Sequence, residues 1–168
     1  MKRRALLVGI LTLMIWVSGC AADMPAQPVT HSFCSQLTVS GLGEPYVGAL
    51  TVTEEHLRWE LTAPEVVAGC VLTCDGDQVT LTPPDSEPVV ADAGRLPAEG
   101  FVSVLWNALR TAQPETVEWE NGDGRLTGRV TGGRYQLLSD ADSGFLKSLC
   151  VEGGDWLAVF TDASAKEG

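Results

Sequence analysis

The chain has 168 residues, 22 of them acidic and 11 basic, for a net charge of −11. That length allows one domain with a sizeable core, and a hydrophobic content of 45% excludes a disordered chain. The excess of carboxylates also excludes nucleic acid, or an anionic membrane surface, as a partner held by the protein's own charge.

At the N-terminus Lys2, Arg3 and Arg4 precede an apolar run over 5–17, and Ser18 and Gly19 supply small residues directly before Cys20. This is the order of parts in a secretory signal, so 1–19 is expected to be removed. The run is shorter than the ~20 apolar residues of a spanning helix. Without the three leading basic residues the balance is eight basic against 22 acidic, or −14. Val17-Ser18-Gly19-Cys20 resembles the lipobox of bacterial lipoproteins. The resemblance implies that Cys20 is diacylated, becomes the new N-terminus and holds the protein on the membrane from outside the cytoplasm. Acyl chains contribute about 0.8 kcal/mol per buried methylene, so two or three of them anchor stably. Residues 20–32, with Pro25 and Pro28 and little hydrophobicity, read as a short tether.

From 33 onward short alternating or apolar runs are separated by Gly and acidic turn residues. They predict strands over 33–40, 46–53, 56–62, 66–74 and 78–82, and after an interruption over 116–120, 125–131, 134–139, 145–151 and 156–161. Asp75-Gly76 and Asn121-Gly122 tolerate positive φ and mark hairpin turns, so the strands are antiparallel neighbours in a meander. In the third strand Leu57, Trp59 and Leu61 share one face, opposite Arg58, Glu60 and Thr62. Val117 and Trp119 likewise oppose Thr116, Glu118 and Glu120. In the last strand both faces are apolar, which suggests cover on both sides. The interruption over 83–97 is rich in Pro, Asp and Ala. It leads into a helix predicted over 98–112, where Phe101, Leu105 and Leu109, with Val102 and Trp106, form an apolar stripe. Pro97 suits the first helical turn. One amphipathic helix within a long meander has the apolar face of a curved sheet as its partner, and the concave face is the simplest place for it. The domain is taken as 33–162, with 163–168 as a tail.

Four more cysteines follow Cys20. In one extended strand the Cys70 and Cys74 sulfurs would be ~13 Å apart, beyond disulfide reach. Each is therefore a candidate to pair with Cys34 or Cys150, unless all four are free thiols. The three-residue gap and the lack of a second close pair argue against zinc. Evidence for catalysis is thin. His31 falls in the tether and His56 beside a turn, no Gly-x-Ser-x-Gly is present, and Glu118 and Glu120 lie on a polar strand face. The run over 140–144 begins like a calcium loop, but it has Gly144 at the fifth position and Val151 at the twelfth. No metal, no cofactor and no enzymatic activity are expected.

The segments "YVGALTVTEEHLRWELTAPE", "VLTCDGDQVTLT", "GFVSVLWNALRTA" and "GRYQLLSDADSGFLKSLCVEGGDWLAVFTD" resemble, in order and spacing, the lipoprotein-carrier-like fold. The similarity is greatest to acylated envelope proteins of Gram-positive type. That resemblance implies a mainly β domain, an unclosed antiparallel half-barrel of about ten strands with the helix on its concave face, and an acyl-chain cavity between them. Cys20 departs from the soluble carrier, which is not acylated, and no residue here matches the carrier's lid arginine. Trp59, Phe101, Leu105, Trp106 and Trp119 are the apolar residues able to line such a cavity. The alternative is an envelope interaction or sensor protein of the same fold without a cavity, its acidic face meeting a basic protein partner.

Overall fold

The computed structural model describes residues 32–98, 100–111, 116–120, 122–130 and 133–166. Its strands, in chain order, are β1 (Phe33–Ser40), β2 (Tyr46–Val52), β3 (His56–Ala63), β4 (Val71–Asp75), β5 (Gln78–Thr82) and β6 (Val89–Asp92), then β7 (Thr116–Glu120), β8 (Asp123–Val130), β9 (Gly133–Asp140), β10 (Leu146–Val151) and β11 (Leu157–Ala165). The helix α1 (Phe101–Thr111) stands between β6 and β7.

All eleven strands belong to one antiparallel sheet, in the order β6-β5-β4-β3-β2-β1-β11-β10-β9-β8-β7. The chain starts at the middle of the sheet, walks outward to β6, crosses by way of α1 to the opposite edge, and walks back until β11 pairs with β1. The sheet is unclosed, since β6 and β7 end it. The crossing explains the helix position: a segment joining the two edges of a curved sheet is shortest across its concave side. Phe101 lies edge-on to Trp59 of β3 and to Trp156 just before β11. The Trp106 indole N–H donates to the Gly76 carbonyl at 3.1 Å. The mainly β half-barrel with its helix is thus present as the sequence implies.

Alternation decides which side chains face inward. Leu50 and Val52 of β2, Leu57 and Trp59 of β3, Leu137 of β9 and Ala158 and Phe160 of β11 join the helix residues Val104, Leu105 and Leu109 in one core. Bulges help to bend the sheet. The β1–β11 register shifts between Cys34 and Gln36, opposite Asp162, whose φ is +53°. Another shift falls at Gly48, where a Cβ would meet the Glu60 carbonyl oxygen.

Several sequence expectations are corrected. The interruption contains β6, paired to β5 from Leu81↔Val89 to Gln78↔Asp92. The strand expected over 66–74 begins only at Val71, because Pro64 leads into a 3-10 turn at Glu65–Val67 and Gly69 takes φ +83°. The helix starts at Phe101, since the Pro97 carbonyl accepts the Gly100 N–H in a separate turn. At the other end β11 runs through Ala165, opposite Phe33, so 163–165 belong to the sheet and not to a tail. Nor is β11 covered on both sides: Ala158 and Phe160 point inward, while Leu157 is 43% exposed.

Candidate functional site

Four of the five residues proposed to line a cavity meet at the interface of the sheet with α1. Trp59 is 1% exposed, with its ring 5.4 Å from that of Phe101 at an interplanar angle of 84°. Phe101, at the start of α1, also reaches Trp156 at 6.3 Å. Leu105 and Trp106 are buried in the same core. Trp119 occupies β7 opposite Gly124, and its side chain lies outside the described residues, as do Cys20 and His31. The edge-on aromatic geometry is the one the ring quadrupoles favour. It packs the middle of the concave face tightly.

Beside this packing a cleft of about 200 Å³ opens between α1 and the β5–β6 side. Val79, Leu96, Val102 and Trp106 form its apolar walls, and Asp77, Ser103 and Asn107 bring polar groups to it. It is smaller than the ~300–1,000 Å³ of pockets that enclose a drug-sized ligand. Ser103 is 7% exposed, and among the described residues its Oγ has no hydrogen-bond partner. The Trp59 Nε1 of β3 is likewise buried, with no partner among the described residues. Buried polar groups are normally satisfied, because stranding one costs about 1–3 kcal/mol. An indole N–H only donates, whereas a hydroxyl donates and accepts. Among the described residues three buried side-chain polar atoms lack a partner, Ser35 Oγ of β1, Trp59 Nε1 of β3 and Ser103 Oγ of α1, and of these Ser103 lines the cleft.

Sequence reasoning missed Ser103. A single Ser beside an apolar stripe carries no periodic signal, and only its position one turn before Trp106 could have drawn attention to it. It also missed the cleft wall at Ala93 and Leu96, which follows from β6.

The remaining candidates have other surroundings. Cys34, Cys70, Cys74 and Cys150 stand as free thiols. Cys34 lies opposite Ser164 and Cys150 opposite Leu157 of β11, seven residues or ~23 Å apart along that strand. Cys74 is fully buried and burial pushes its thiol up to about 12, so it stays protonated and unreactive. The His56 Nδ1 lies 3.3 Å from the Asp75 carboxylate on the surface. Glu118 is exposed. In the 140–144 turn Asp140 Oδ1 accepts from the Ser143 N–H at 2.9 Å and the Ser143 hydroxyl at 2.8 Å. Its Oδ2 lies 3.3 Å from Lys147, which also pairs with Asp123. The Ser143 hydrogen bonds, helped by Lys147, hold the Asp140 carboxyl down at about 2. Among the described residues no cluster of three or more metal-ligating side chains occurs.

Neither a protein-family model nor a curated protein matches the chain. Solved structures do. An uncharacterized conserved protein from Thermus thermophilus aligns over 81% of this chain and 79% of its own, with a TM-score of 0.55 and 11% identity. The likeness is one of fold. A LolA superfamily protein from Nitrosomonas europaea aligns over 88% of this chain and 91% of its own, at a TM-score of 0.44 and 12% identity. A chain from the structure of the Clostridioides difficile CwlD amidase in complex with the GerS lipoprotein aligns over 81% and 84%, at 0.44 and 17%.

Proposed function

We propose that this protein is a non-enzymatic, extracytoplasmic lipoprotein, anchored through acylated Cys20, that binds a lipid or similar apolar ligand between the concave sheet face and α1. The observation that carries the reading is Ser103 Oγ, buried at the cleft without a partner among the described residues, with Trp59 Nε1 likewise buried on β3. They suit an apolar chain bearing an acceptor such as an ester carbonyl. Each buried methylene of such a ligand contributes about 0.8 kcal/mol. The cleft beside Val79 and Trp106 admits the first segment, and a longer chain requires α1 to swing away from Trp59. Phe101, wedged between Trp59 and Trp156, is the contact that such a motion breaks.

Tryptophan fluorescence during titration with a brominated fatty acid tests this. Saturable quenching is expected, with affinity reduced in Trp59→Phe and Ser103→Ala. Quenching that never saturates, or that both variants leave unchanged, contradicts it. The tightly packed aromatic group at the middle of the concave face favours a second reading, an envelope interaction or sensor protein with no ligand cavity. Absence of saturable quenching would support that one.

A further inference from the structure

We infer that the outer edge of β6 is a docking strand for an extended, basic segment of another protein. This inference stands independently of whether an apolar ligand occupies the interface under α1.

β6 is the last strand on its side of the sheet, and the register fixes which backbone groups it leaves unused. The Ala93 N–H donates to the Asp77 carbonyl at 2.8 Å. Directly opposite residues in an antiparallel pair alternate between hydrogen-bonded and non-bonded. Ala91 and Val89 therefore bond to Val79 and Leu81, whereas Val90 and Asp92, opposite Thr80 and Gln78, turn their N–H and C=O groups outward. Among the described residues no strand meets them there.

The side chains suit the same role. Val89 is 62% exposed and Val90 58% exposed, on opposite faces of the edge. Natural edges are commonly blunted by Lys, by Pro within the strand or by a bulge. β6 holds no Lys, Pro or bulge, though at four residues and directly after Pro88 it is a short edge. Its further protection is charge: Asp85, Glu87 and Asp92 flank it in sequence with Arg95, and all four are exposed.

That charge selects the occupant. Pairing with a second copy would set these carboxylates against their own kind, between chains of net charge −11, and like charges across a strand pair destabilise it. A segment with β-branched residues in its middle and Lys or Arg at its ends satisfies both the backbone groups and the carboxylates. Strand addition of this kind draws affinity from main-chain hydrogen bonds and specificity from the flanking side chains.

The test uses the full chain and the synthetic peptide Lys-Lys-Val-Thr-Val-Thr-Lys-Lys, followed by calorimetry and by amide hydrogen exchange. Binding that slows exchange of the Val90 and Asp92 amides is expected, with weakening at high salt. Val90→Pro removes one outward N–H without touching the β5 pairing, and should weaken binding roughly tenfold. Asp85→Lys with Glu87→Lys leaves the backbone intact and should shift preference to a Glu-flanked peptide. The inference is overturned if exchange at Val90 and Asp92 is unchanged by saturating peptide, or if Lys- and Glu-flanked peptides bind equally. Concentration-dependent dimerisation abolished by Val90→Pro would overturn it in favour of self-pairing.

Discussion

Ser103 and Trp59 make opposite demands on stability and on function. Removing an unpartnered buried hydroxyl removes a desolvation penalty, so Ser103→Ala should leave the fold unchanged or more stable by about 1 kcal/mol, measured by urea unfolding. The same change should weaken ligand binding. A marked loss of stability would instead show that the hydroxyl is satisfied in the folded protein. Asp140 is the counterpart at the surface. Its carboxyl is held at about 2 by Ser143 and Lys147, below the ordinary 3.8, so its contribution is present above about pH 4 and is lost as pH falls toward 2. Lys147 is raised by Asp123 first and then by Asp140, so its contribution is lost only as pH rises beyond its ordinary 10.5. Asp140→Asn should lower the melting temperature at neutral pH and flatten its fall between pH 4 and 2. An unchanged acid limb would contradict this. At this scale the sequence shows the apolar members of the interface, because Trp59, Phe101, Leu105 and Trp106 fall on regular periods. The polar members are invisible to periodicity, since the packing around them determines whether they find a partner.

Among the elements, the strands with clean alternation and sharp turns were legible. β1, β3 and β5 start and end within a residue of where the pattern predicts. β6 was not legible, because four residues between Pro88 and a 3-10 turn carry too little pattern, and their pairing to β5 is decided by tertiary register. The start of β4 was misplaced because Val66 and Val67 look like strand residues, while Pro64 and Gly69 force a loop. Apolar residues on both faces of β11 were misleading as well, since only Trp156, Ala158 and Phe160 have the helix side to pack against. Cross-strand packing provides a test in β8. Gly128 lies against the Tyr135 phenol, and a Cβ there would overlap its hydroxyl oxygen and the adjoining ring carbons. Gly128→Ala should therefore cost about 1–3 kcal/mol, read from the urea midpoint. An unaltered midpoint would mean that the ring can move aside freely.

For the whole molecule, the topology brings the two wings of the sheet together over the helix, and that is where the proposed ligand would sit. Each wing is a meander of short hairpins, and α1 links their outer edges across the concave side. A sequence reading can anticipate that architecture from the turn residues and the single amphipathic segment. It cannot distinguish an open concave face from a filled one, because both use the same apolar side chains. Under the proposed anchoring, the acidic balance would hold the domain off anionic headgroups and leave membrane contact to Cys20. Cys20→Ser should accordingly move the protein from the membrane fraction to the soluble fraction without altering its unfolding midpoint; retention in the membrane would refute the anchor.

Native mass spectrometry of the acylated chain after mild detergent extraction tests whether the interface between sheet and α1 takes an apolar ligand. A noncovalent adduct of lipid mass is expected, lost on solvent extraction and reduced in Trp59→Phe and Ser103→Ala. A spectrum containing only the bare acylated chain, identical in the wild type and both variants, would contradict it.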